Sequence, residues 1–160
     1  MKSRILMTLA SLTLAGSIGI ASADQSTNPF PGIEHVTTQS SVEEVETRLR
    51  EAIDSRGLTL FTVVDHAQGA ADVDLELPPT RTVIFGNPKV GTPLMQCQGS
   101  TALDLPQKMV IREDGDTTRI EWNDPAYLAK RHELQECELP LNKIASVLSA
   151  VANEATGEQE

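Results

Sequence analysis

Asp114-Gly115 is the dipeptide that most constrains this chain, because Asp-Gly between two strand-like runs is a strong short-range hairpin signal. Residues 107–113 read as the incoming strand. In the returning strand, Thr118, Ile120 and Trp122 fall on one face and Arg119 and Glu121 on the other. Part of the chain is thereby committed to an antiparallel sheet with one buried face.

The remaining pattern predicts what packs on that sheet. Residues 33–38 read as a first strand. Ser40 and Ser41 offer N-caps, with Glu43 and Glu44 at capping-box spacing. Val42, Val45, Leu49 and Ile53 then repeat at helical spacing with Ala52 beside them, and Gly57 supplies the stop. The opposite face, Glu46, Arg48, Arg50 and Asp54, reads as solvated. A second strand over 58–64 leads to a short helix or turn over 68–77, which Pro78-Pro79 ends. A third strand follows over 81–85, where Val83-Ile84-Phe85 has the continuous apolar pattern of a strand covered on both faces. Beyond a turn at Gly86-Asn87-Pro88, a short helix is predicted over 92–97, with Pro93 in its first turn. After the hairpin, Asp124-Pro125 opens a helix ending near Arg131 or His132. A last helix from Pro140 buries Leu141, Ile144, Leu148 and Val151. The order β-α-β-β-α-β-β-α-α, counting only the firmer segments, predicts an α+β two-layer sandwich: a mainly antiparallel sheet with helices on one face.

The N-terminus predicts a compartment. Lys2 and Arg4 precede an uncharged apolar run from Ile5 to Ile20, and Ala21-Ser22-Ala23 follows, the order of a secretory signal peptide cleaved after Ala23. No cysteine stands immediately after that site, which argues against a lipid anchor. The expectation is an exported, periplasmic protein with a flexible leader over 24–33, one domain over 34–151 and a polar tail over 152–160. Removing the signal leaves 11 basic residues against 23 acidic ones, a net charge of −12. Such a chain repels phosphate backbones and anionic lipid, so neither nucleic acid nor a membrane surface is expected as a partner.

Cys97 and Cys137 are the two cysteines. In an oxidising compartment a pair is first read as a disulfide, which would stabilise the fold by about 4 kcal/mol. Two free thiols, or metal or redox chemistry, are the alternatives; no C-x-x-C motif occurs.

Several fragments fall in a recognisable order: Phe61-x-x-x-Asp65-His66-Ala67; Phe85-Gly86-Asn87-Pro88-Lys89-x-Gly91-Thr92-Pro93-Leu94-Met95; Leu103-Asp104-Leu105-Pro106; and Trp122-Asn123-Asp124-Pro125-Ala126-Tyr127-Leu128-Ala129 with Arg131-His132. From about Glu34 to Val151 the chain resembles an uncharacterised bacterial family, the domain of unknown function 302. The resemblance implies a small α+β domain and a homodimer. It brings no established activity, and no fixed cysteine is expected at position 97 or 137.

The candidate ligand-binding residues are Asp65, His66, Asn87, Lys89, Asp124 and His132. If Asn87 lay beside Asp65-His66, the strand ends would form a polar-lipped pocket. Each residue also has a structural reading. Asp65 caps the next segment and His66 packs or bonds to backbone. Asn87 occupies a left-handed turn position. His132 sits near a helix end, where the dipole favours a cation. His35, His66, His132, Met95 and Cys97 are side chains able to bind copper or zinc, but none has local ligand spacing. Gly86-Asn87-Pro88-Lys89 is no phosphate loop, since Pro88 removes a donor. No G-x-S-x-G, H-E-x-x-H or Walker motif is present, and no cofactor is expected. The favoured reading is a non-enzymatic small-ligand-binding or accessory module. A structural homodimer without a small-molecule site is the alternative, followed by a copper- or zinc-binding protein.

Overall fold

A computed structural model describes residues 30–157. The expected signal peptide, most of the expected leader and the last three residues lie outside the described residues.

Five strands form one antiparallel sheet: β1 (Ile33–Thr38), β2 (Thr59–Asp65), β3 (Thr80–Gly86), β4 (Gln107–Asp114) and β5 (Thr117–Asn123). Their order is β1-β5-β4-β3-β2, so β1 and β2 are the edges. The hairpin joins β4 to β5 one residue later than the sequence suggests. Asp114 pairs with Thr117, and Gly115 at φ +62° is the first residue of the loop. Only a glycine takes that conformation without strain.

The core lies between one sheet face and two helices, α1 (Val42–Ser55) and α5 (Leu141–Thr156). Val83, Phe85, Met109, Ile111, Ile120 and Trp122 meet Val45, Leu49, Ile53, Leu148 and Val151, and nearly all are fully buried. Each such side chain contributes about 1.5–3 kcal/mol through burial. Ser41 caps α1 through a capping box with Glu44. The face expected to be solvated is only partly so: Arg48 Nε donates to the carbonyl of Ala155 at 2.9 Å. That bond satisfies an α5 terminal carbonyl and ties the two helices together.

Two further expectations change. Ile84 is only half-buried between Val83 and Phe85, because a two-layer fold covers one face of β3. The outer face carries an ionic ladder in which Glu121 bridges Arg112, at 2.9 Å, and Arg119, at 2.8 Å. That bridge offsets the repulsion of two arginines paired directly opposite each other. Finally, α5 continues through Thr156 with Ala152 and Ala155 buried, so the expected polar tail begins one helical turn too early.

The short helices are α2 (His66–Ala71), α3 (Pro88–Cys97) and α4 (Pro125–Arg131), with 3-10 helices at Gly99–Leu103 and Leu134–Glu136. The helix expected from Thr92 starts earlier, at Pro88. Asn87 caps it in extended conformation at φ −135°, not in a left-handed turn. Pro93 sits inside the helix. It removes one donor, and the carbonyl left free belongs to the exposed first turn, where water can reach it.

Candidate functional site

In the antiparallel sheet the end of β3, the start of β4 and the start of β2 lie at one end, where α3 and the first turns of α5 leave a cleft. It has two lobes. The first, about 220 Å³, lies between α3, the Leu105-Pro106 segment and Phe61. The second, about 550 Å³, opens beside Leu58, Phe85 and the α5 residues Lys143, Ile144 and Val147. Gly86, Asn87, Val90, Gln107 and Ile144 line both.

Local sequence explains the walls. The register of β2 on β3 shifts between Leu60 and Thr62, leaving Phe61 as the extra residue. Such a bulge re-aims a side chain. Phe61 turns toward Gly86, where a Cβ would lie 3.7 Å from its ring. Asn87 and Pro88 start α3 at the strand end, so Val90, Leu94 and Met95 face the first lobe. Leu141 and Ile144, expected in the core, are half-buried because α5 reaches the core fully only from Leu148 onward; both border pockets at the sheet end.

The six candidate residues do not share one place. Asp65 pairs with Arg81 at the start of β3, whereas Asn87 follows its end, about 20 Å away at strand rise. Antiparallel pairing puts the two strand ends at opposite ends of the sheet, so the polar-lipped pocket shared by Asp65-His66 and Asn87 does not form. Asp65 caps α2 by accepting from the Gln68 N–H at 2.9 Å and lies 3.3 Å from Arg81 Nε. That cap, aided by Arg81, holds its carboxyl below the usual range. Although burial alone would lower it, pairing with Glu46 at 2.6 Å and with Asp65 holds the Arg81 guanidinium above its ordinary value. The exposed His66 ring lies 2.8 Å from the Thr82 hydroxyl. Asn87 accepts from the Lys89 N–H at 2.9 Å and lines the cleft, while Lys89 is exposed on the first turn of α3. Asp124 caps α4 through the Ala126 and Tyr127 N–H groups.

His132 differs from its helix-end reading. It is the C-cap of α4, but it is buried, with Nε2 at 2.6 Å from Asp104 and Nδ1 at 2.8 Å from the Ser100 hydroxyl. Asp104 also lies 3.4 Å from Arg131. Ser100 and Asp104 escaped sequence reasoning as partners of His132, since about thirty residues separate them. Cys97 and Cys137 form a disulfide that joins the same two segments. Cys97 is therefore no thiolate ligand. Among the described residues, no group of three or more His, Cys, Asp or Glu is arranged to hold a metal ion.

Fold and site together define a two-layer α+β domain with one helical layer and a largely apolar cleft at the sheet end. The chain belongs to the family described as domain of unknown function DUF302, which matches residues 34–152. Its fold is similar to the uncharacterised conserved DUF302 protein of Bacillus stearothermophilus: TM-score 0.70 at 18% identity, over 79% of this chain and 99% of that one. It is also similar, at 44% identity over 104 residues, to proteins named fluoride-specific ion channel FluC 1 from Brucella suis biovar 1 (strain 1330) and Brucella abortus biovar 1 (strain 9-941). Those matches take in 64% of this chain but only 41% and 38% of the relatives' lengths. Among the described residues, no helix is long and apolar enough to cross a membrane.

Proposed function

We propose that this protein is an exported, non-enzymatic module that binds a small, largely apolar ligand in the two-lobed cleft. One observation carries the reading: the Gly86 to Met95 stretch of the family motif, together with Leu105-Pro106, forms the cleft wall. Small-ligand sites combine such apolar walls with a few polar groups. Asn87 and Gln107 supply amides here. Export is supported by the basic, apolar and small-residue order of the first 23 residues and by the disulfide. The similarity to part of longer proteins named as channels supports an accessory role beside other domains. A homodimer is supported by the family resemblance and by the half-exposed outer sheet face, and light scattering on the purified protein tests it.

Native mass spectrometry of protein purified from the periplasm tests the ligand reading. A bound small molecule is expected, and Val90→Glu, which places a carboxylate in both lobes, is expected to release it. A wild-type protein that is always empty would refute the reading.

A second reading, hydrolysis at Ser100, is favoured by the Ser100–His132–Asp104 geometry alone. An imidazole oriented by a carboxylate can take the proton of a serine hydroxyl attacking an acyl carbon. Fluorophosphonate labelling of wild-type protein, lost in Ser100→Ala, would support catalysis. Unlabelled folded protein would leave the cluster as a structural tie.

A further inference from the structure

We infer that the cleft takes an anionic amphiphile, a fatty-acid-like monocarboxylate, with its head at Lys143 and its chain in the lobe between α3 and Leu105-Pro106. This rests on the reading of the cleft as a ligand site and names the class of ligand.

The charge distribution carries the inference. The chain holds 23 acidic residues against 13 basic ones, yet neither lobe is lined by a single Asp or Glu. Among the described residues, the only charged ones on the walls are Arg56 and Lys143, both in the larger lobe. The sign of the surface therefore inverts where the apolar walls begin. The two cations are not equivalent. Arg56 is matched by Glu154 at 2.5 Å and donates to the Ala52 carbonyl at 3.1 Å. Lys143 has no carboxylate within ion-pair distance among the described residues. A carboxylate arriving in that lobe meets an unmatched ammonium, and no Asp or Glu lines the lobe.

Shape divides the ligand in the same way. The lobe without a charge is walled by Phe61, Val90, Leu94, Met95, Leu105 and Ile144. It suits a flexible hydrocarbon chain, and Met95 is a side chain that adapts to irregular apolar partners. The amides of Asn87 and Gln107 stand where the lobes meet, within reach of a head group's oxygens. Asn87 Oδ1 is committed to capping α3, which leaves its Nδ2 to donate. The wider acidic surface repels an anionic bilayer, so the ligand is a free molecule and not a membrane.

Calorimetric titration with decanoate, decanol and decyltrimethylammonium tests this. Decanoate is expected to bind best and the cation worst. Lys143→Glu is expected to weaken decanoate by up to about fivefold while leaving decanol unchanged, since an exposed ion pair contributes up to that much. Lys143→Gln serves in its place should Lys143→Glu not fold. Equal binding of decanoate and decanol, with no effect of either substitution, would overturn the anionic assignment and leave the cleft reading standing. No binding of any of the three would overturn both.

Discussion

Replacing both Cys97 and Cys137 with serine tests how the cleft wall is held in place. The bond joins the last residue of α3 to the residue after the Leu134–Glu136 turn, 40 positions apart, with Cα atoms 6.3 Å from each other. On the chain-entropy model, closing a loop of roughly that length stabilises the fold by about 4 kcal/mol through the unfolded ensemble. In the folded state the same segments are already joined by His132 to Asp104 at 2.6 Å and to Ser100 at 2.8 Å. The native structure should therefore survive the substitution, with the loss falling on the unfolded side. In urea, with a slope of about 2 kcal/mol/M for a domain of this size, the midpoint should drop by about 2 M while far-ultraviolet circular dichroism is unchanged. A drop below about 0.5 M would refute the loop-entropy argument. Two alkylatable thiols in the unfolded, non-reduced protein would refute the bond itself.

Three other perturbations read separate parts of the fold. Ser41→Ala removes the N-cap of α1 and should destabilise by about 1 kcal/mol, measured by urea unfolding. Gly32→Ala should destabilise by about 1–3 kcal/mol from backbone strain at φ +77° alone, and further because its Cβ would overlap the Tyr127 ring; thermal unfolding reports the sum. Asp65 and Glu44 both have carboxyls held below their ordinary values, chiefly by the backbone N–H groups of Gln68 and Ser41 respectively. Groups with depressed folded pKa contribute fully above the ordinary carboxylate range of about 4 and lose that contribution as pH falls through the folded values. Unfolding midpoints should thus fall on the acid side of about pH 4, and Asp65→Asn, which keeps an N-cap side chain, should flatten that limb.

Local rules made much of the fold legible. The capping box at Ser41 and Glu44, the apolar stripe of α1, and the alternation of β5 around Ile120 and Trp122 each depend on neighbours within a few residues. The misreadings also have local causes. Pro93 has the character of a helix opener, but Asn87 and Pro88 are a better cap and first position, and they start α3 several residues earlier. Ile84 has the apolar character of a doubly covered strand, but composition does not say which layers a chain of this length can supply.

The candidate site was less legible because it depends on strand direction. Asp65-His66 and Asn87 each end a strand, and the residues alone do not say which strands neighbour each other in the sheet. Pairing of Asp65 with Arg81 sends one group to each end of the sheet. Arg81 then becomes a brace, reaching Asp65 on β2 and Glu46 on α1. At the other end, the space that Asp65-His66 was expected to fill is walled by Phe61, Leu105 and Ile144. The outcome replaces a polar rim with an apolar cleft, and it moves the chemical question from imidazole and carboxylate to the lone ammonium of Lys143. His132, read as a helix-end cation, instead ties its helix to Ser100 and Asp104 across a sequence gap that no spacing rule spans. Polar residues of a motif can therefore serve as its internal fastenings, while the apolar residues between them line the cleft.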